Sequence, residues 1–252
     1  MSRVLILLPS HDFDPSEAGF PWRILSEAGH ETVFATPDGK PAQADARMLD
    51  GRGLGPWREL LRADARGRAA HEAMRTSTAF QNPISYQEAS IDDCQAILLP
   101  GGHAPRMREY LESERLQAIV AAAFGAGRVV GAVCHGVVLA ARARDGQGRS
   151  VLHDRRTTAL TRLQELTAWN LTRLWLGDYY RTYPQTVQAE VTAVLDDPAQ
   201  FETGPLPLRR DTPDALQRGF VVQDRNYVSA RWPGDVHRFS ATLASMLGGG
   251  EG

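Results

Sequence analysis

The sequence holds two cysteines, and only Cys134 sits where a thiol could do chemistry. It follows the short apolar run Val129 to Val133 and precedes His135, Gly136 and the helical run Val137 to Arg144. Small Ala132 before it and Gly136 after it are what a nucleophile elbow needs, a sharp strand-to-helix turn whose backbone amides face the reacting centre. The positive end of the following helix favours thiolate over thiol. The adjacent His135 could serve as general acid or base in a Cys-His pair. The alternative is plainer: a small buried hydrophobe beside a histidine that caps the helix. Cys94 has no comparable context and reads as an inert thiol.

Two more groups could join that centre. Gly101-Gly102-His103 follows the apolar run Ala96 to Leu99, and two glycines let a backbone approach its neighbours closely. The Gly102 amide could then act as an oxyanion-hole donor opposite the elbow. Glu17 opens the first predicted helix just after the first predicted strand, which brings it to the sheet edge that carries Cys134. Desolvated there, a carboxyl group keeps its proton and could donate to sulfur or shuttle a proton; taken alone, it is equally a glutamate that suits the helix dipole. No His-Glu-x-x-His, paired Cys-x-x-Cys or EF-hand loop occurs, so no catalytic metal is expected, and His103 with His135 leave only an adventitious zinc site open. No Gly-x-Gly-x-x-Gly or Walker loop points to a nucleotide cofactor.

The elements that must position these residues alternate strand and helix. Arg3 to Leu8 is apolar without period-2 alternation, as in a strand buried on both faces of a parallel sheet. A helix over Glu17 to Ala28, closed by Gly29, and a strand over Thr32 to Ala35 complete a βαβ unit. Further strands are predicted at 96–99, 129–133, 219–222 and 227–230, and helices at 116–124, 137–144, 161–176, 188–195 and 234–247. Between them, residues 40–92, with one or two amphipathic helices over 58–75, and residues 161–213 are predicted as insertions on one α/β domain spanning 1–247. Phe201 to Pro213 should be loop, and 248–252 a flexible tail. In open α/β sheets, ligands bind at the carboxyl ends of the strands, where both strand-to-helix junctions fall.

Composition narrows the partners. With 252 residues, 42% hydrophobic, the chain is long enough for a sizeable core. Twenty-eight basic against 30 acidic side chains give a net charge of −2, which offers no field for nucleic acid. Two cysteines make no disulfide framework and fit a reducing cytosol. The most apolar stretch, 116–141, is interrupted by Arg128 and His135, so neither membrane insertion nor export is expected, and the chain reads as cytoplasmic.

Assembled in order, Arg3 to Pro9, Glu17, Ala35-Thr36-Pro37-Asp38-Gly39, Leu98 to His103, Ala132-Val133-Cys134-His135-Gly136 and Trp232-Pro233-Gly234-Asp235 resemble the ThiJ/PfpI superfamily. The Ala-Thr-Pro-Asp-Gly and Gly-Gly-His combination is similar to its chaperone/glyoxalase III subgroup. The resemblance implies a flavodoxin-like three-layer α/β sandwich with a mostly parallel sheet and helical insertions. It also implies Cys134 as nucleophile, Glu17 as its carboxyl partner, His135 as the neighbouring histidine, the Gly102 and His135 amides as oxyanion hole, and Gly101 and His103 in the pocket. A homodimer without cofactor is implied as well. The nearest candidate for a third, acidic triad member is Glu165, within a helical pattern. The segment 169–183 either covers the pocket or forms an aromatic dimer contact. A C-terminal His-Pro-Glu motif is missing around His237, which disfavours glutaminase chemistry.

The implied activity is conversion of small 2-oxoaldehydes such as methylglyoxal to hydroxy acids, without glutathione. Alternatives are a holdase chaperone and an amide or isonitrile hydrolase using the same thiol. The pocket should discriminate: a closed, small, polar cavity suits oxoaldehydes and an open groove suits peptides.

Overall fold

In the computed structural model, which describes residues 1–248, a seven-stranded sheet forms the middle layer. Its strands are β1 (Arg3–Leu7), β3 (Glu31–Thr36), β5 (Ile84–Ser85), β6 (Ala96–Leu99), β7 (Val129–Val133), β8 (Val221–Asp224) and β9 (Tyr227–Ala230). The spatial order is β5-β3-β1-β6-β7-β9-β8, parallel throughout except for β8. The central strands lack alternation because both faces are covered: Val4 to Leu8 and Ala96 to Leu99 are buried without exception. One face carries helices Pro15–Glu27 and Val236–Gly248, with Ala65–Arg75 packed on the first. Helices Glu114–Gly125 and Gly136–Arg142 cover the other.

The 10–16 stretch is more structured than its polar composition suggests. His11–Phe13 (β2) pairs in parallel with Gln43–Ala44 (β4), a second small sheet beside the carboxyl end of β1. The first helix begins at Pro15, two residues before the predicted start. Asp14 caps it by accepting from the Ser16 and Glu17 amides at 2.8 and 3.1 Å, and proline at the first helical position needs no amide.

Residues 40–92 contribute the edge strand β5 and four short helices, among them Arg58–Leu61 and Ala65–Arg75. Residues 161–213 contribute helix Arg162–Leu176, opened by a capping box between Thr161 and Gln164, and helix Val187–Thr192. No helix or strand falls within 201–213. The two segments meet: Met48, Leu54 and Tyr180 form a small buried cluster flanked by Leu61 and Trp169, separate from the main core. The expected tail lies, beyond Gly248, outside the described residues. Among the described residues no helix is long and apolar enough to cross a membrane.

The end of β9 is fastened by charge. Arg231 and Asp235 are both buried and pair in bidentate fashion, Nε to Oδ2 at 2.8 Å and Nη2 to Oδ1 at 3.0 Å. Arg231 Nη1 also donates to the Thr203 and Pro205 carbonyls, and Asp235 accepts from the Phe220 amide. One ion pair thus ties β9, the start of the last helix and the 203–205 loop. Removing one partner strands a buried charge, at a cost of about 3–5 kcal/mol. Asp235→Ala should lose about that much stability in denaturant unfolding; a loss below 1 kcal/mol would show that the pair does not hold these three parts.

Candidate active site

Cys134 leaves β7 in the left-handed backbone region, with φ 57°, and its amide still donates to the Ala230 carbonyl at 3.0 Å. A non-glycine residue held there is strained, and such strain persists only where the surroundings dictate the geometry. Gly136 is part of that surrounding: a Cβ on it would overlap the Leu99 carbonyl. Helix Gly136–Arg142 can therefore start hard against β6 only with glycine at this position.

The Gly101-Gly102 turn approaches protein, not open space. A Cβ on Gly101 would lie 2.7 Å from Glu17 Oε2 and 2.8 Å from the His135 nitrogen, and one on Gly102 would lie 2.9 Å from Met107 Sδ. The Gly101 amide donates to Glu17 Oε2 at 2.9 Å, and its carbonyl accepts from the Asp14 amide at 2.8 Å. Two backbone bonds thereby lock the head of the first helix to the turn after β6, and Glu17 is brought to Cys134. Glu17 Oε1 is buried with no hydrogen-bond partner.

Burial decides the charges of these groups. It lifts the Glu17 carboxyl well above its usual range, and the neighbouring Asp14 charge adds to the rise. Burial also raises Asp14, to about 6. The thiol of Cys134 is pushed up by burial, then by the charges of Glu17 and Asp14, while the His135 amide pulls it down. The direction is opposite to that expected from the helix terminus alone, because the sulfur is almost entirely withdrawn from water. With Glu17 protonated its repulsion of a thiolate disappears, so burial draws the pair toward a carboxylic acid beside a thiol.

His135 is 1% exposed and burial lowers it to about 3, so its ring is neutral. Nδ1 lies 3.5 Å from Cys134 Sγ, and Nε2 lies 3.1 Å from Thr182 Oγ1. The Thr182 hydroxyl already donates to the His103 carbonyl at 2.6 Å, so it accepts from the ring. Nε2 therefore carries the proton, and the Nδ1 lone pair faces the sulfur. The group that orients the imidazole is a threonine hydroxyl.

Glu165 does not fill that place. Its carboxylate accepts from the Val187 amide at 2.9 Å and pairs with Arg181 at 3.3 Å, bracing the helices of the 161–213 segment. The position in the helical pattern was legible, but which way its carboxylate turned was not. His103 stacks on Tyr180 with ring centroids 4.1 Å apart, and burial lowers it to about 3. The 169–183 segment thus lies over the site, with Thr182 and Tyr180 as its contacts. Among the described residues no group of three or more His, Cys, Asp or Glu side chains is arranged for a metal ion.

A cavity of about 350 Å³ opens over these groups, with Glu17, Cys134, Gly102 and His103 among its lining. Three site residues escaped the sequence reading. Asp14 had a signal, an Asp-x-x-Glu capping pattern ahead of an apolar helix. Thr182 and the cavity-lining Arg210 had none, since only tertiary packing brings them there.

A parallel sheet covered on both faces, with a cysteine on a left-handed elbow and a buried carboxyl group beside it, defines a class of α/β proteins built around a thiol. The chain belongs to the ThiJ/PfpI family: the description "ThiJ/PfpI family-like" matches residues 8–205. An uncharacterized protein of Schizosaccharomyces pombe is 28% identical over 149 residues, 56% of this chain and 54% of that protein. A glutathione-independent glyoxalase of the same yeast is 26% identical over 156 residues, 60% of each. The chain thus spans little more than half the length of these curated relatives. Among solved structures, glyoxalase III from Candida albicans superposes with a TM-score of 0.66 at 17% identity, covering 97% of both chains. DJ-1beta from Drosophila melanogaster superposes at 0.58 and 15% identity, covering 100% of this chain and 93% of that one. Both likenesses are of fold.

Thr182→Val should slow alkylation of Cys134 by iodoacetamide about tenfold or more, the scale of losing a group that fixes an imidazole, and Thr182→Ser should restore it. Peptide-resolved mass spectrometry separates Cys134 from Cys94; equal rates in all three proteins would exclude a positioning role. Glu165 provides a stability test. Burial raises it from 4.5 to about 7, so its share of stability is full below about 4.5 and is lost as pH rises through 7. The melting temperature of Glu165→Gln should therefore change less between pH 5 and 8 than that of the wild type. An equal or larger change would refute the assignment.

Proposed function

We propose that this protein is a cofactor-independent glyoxalase that converts 2-oxoaldehydes to 2-hydroxy acids through a Cys134 hemithioacetal. The observation that carries the reading is the 3.5 Å approach of the buried Cys134 sulfur to Nδ1 of His135, beside a Glu17 carboxyl group that burial draws toward its protonated form. Such a set can move a proton between adjacent carbons, and the similarity to a relative named glutathione-independent glyoxalase supports the same chemistry.

The thiol is deprotonated in the course of attack. Sulfur bonds to the aldehyde carbon, its proton passes to Nδ1 of His135, and that proton is delivered to the aldehyde oxygen. His135 then takes the hydrogen from the former aldehyde carbon while Glu17 donates to the ketone oxygen, giving an enediol. Reprotonation at the former ketone carbon and return of a proton to Glu17 leave a 2-hydroxyacyl thioester. Water releases the acid and the free thiol, so one water is consumed and no electron acceptor is needed. The Gly102 and His135 amides face the developing oxyanion in this scheme. A homodimer is the assembly we expect for it.

Lactate formation from methylglyoxal in glutathione-free buffer tests the reading. Cys134→Ala should abolish turnover, and Glu17→Gln, which keeps a donor but cannot return a proton, should lower kcat by about a hundredfold or more. Equal lactate formation by wild type and Cys134→Ala would refute it.

A further inference from the structure

The cavity does not have the small, polar shape that methylglyoxal alone would call for. At about 350 Å³ it falls in the range of roughly 300–1,000 Å³ typical of sites for drug-sized ligands, and a three-carbon substrate fills only part of it. Its polarity is graded. Cys134, Glu17 and Asp14 line it and are almost wholly buried, whereas Leu60, Leu163, Leu206 and Leu208 line it and are 57–84% exposed. Buried Cys134, Glu17 and Asp14 lie at the inner end and the exposed leucines at the mouth, with Gln164, Glu165 and Arg210 also in the lining.

Those leucines come from three separate parts of the chain: the 40–92 segment, the helix Arg162–Leu176 and the loop after Pro205. The helix turns Leu163, Thr167, Ala168 and Leu171 to the cavity, spacings of three and four that place them on one stripe. The loop is held from beneath by Arg231, which takes the Thr203 and Pro205 carbonyls. Convergence of leucines on the entrance to a reactive thiol is an arrangement for an apolar ligand that ends in a polar, reactive head.

We propose that the substrates are 2-oxoaldehydes carrying an apolar tail, aryl or medium-length alkyl, with the dicarbonyl head at Cys134 and the tail between Leu163, Leu171 and Leu208. The inference rests on the glyoxalase reading for its reaction but on the cavity for its specificity. Each buried methylene is worth about fourfold in binding, so tail length should be read directly in kcat/KM.

Wild-type protein should turn over phenylglyoxal and 2-oxooctanal with kcat/KM at least tenfold above methylglyoxal. The double variant Leu163→Asp/Leu208→Asp, altered at exposed positions that leave the core intact, should bring that advantage below threefold. Equal or better use of methylglyoxal by the wild type would overturn the proposal. A binding series separates this outcome from failure of the reaction itself. Cys134→Ala, titrated calorimetrically with lactate, mandelate and 2-hydroxyoctanoate, should bind the tailed acids at least tenfold more tightly, and the two aspartates should erase the gain. Graded binding without turnover of any oxoaldehyde would sustain the tail specificity and refute the glyoxalase reading. Turnover of methylglyoxal with no grading in either series would do the reverse, and absence of both would refute both.

Discussion

The left-handed backbone at Cys134 is the constraint around which the rest of the site is arranged. A residue with a side chain is held at φ 57° because its amide is still bonded to the β9 carbonyl of Ala230 while Gly136 is already pressed on Leu99. Between two strands and a helix there is one path for the chain, and it presents sulfur at the carboxyl edge of the sheet. The groups around the sulfur are fixed in turn: Glu17 by the Gly101 amide, the helix head at Asp14 by the Gly101 carbonyl, and the Gly101 turn by lack of room for any side chain. The site sits at strand and helix ends and in the short turns pinned to them, while the threonine behind the imidazole comes from a distant irregular segment.

Burial, more than the helix terminus, sets the protonation of this centre. Thiol, imidazole and carboxyl group are all drawn toward their neutral forms by the same withdrawal from water. The surroundings thus favour a set of neutral groups over a standing thiolate. That arrangement needs defined tautomers, and the hydroxyl of Thr182, committed to the His103 carbonyl, supplies the definition.

Much of this was legible in the sequence. The central strands announced themselves as short apolar runs, and the strand-to-helix junctions followed from where those runs ended. The flanking small residues put Cys134 on a strand-to-helix turn, and the topology of the first βαβ unit put Glu17 at the same sheet edge. Features with no periodic signature were not legible. The β2 and β4 strands are two or three residues long, and β2 reads as a polar connection although Phe13 is buried. Thr182 lies 47 residues beyond His135 in a segment without regular structure, and a lone threonine carries no mark of its partner. Glu165 was the most attractive acid by position, but a carboxylate on a buried helix face is taken by whichever donors lie nearest, here the Val187 amide and Arg181.

Thr182 is held from outside its own segment. Both Arg108 Nε and Nη2 donate to its carbonyl, at 2.8 and 2.6 Å, and the neighbouring Tyr183 hydroxyl joins Arg142 to Glu112. The stretch of chain that roofs the cavity is also the one that orients the His135 ring. Specificity and reactivity are therefore not modular in this protein. Grafting the roof of a relative to change what enters the cavity would also replace the brace behind the imidazole, and drift in substrate preference would be confined to changes that leave the Arg108 and Arg142 anchors in place.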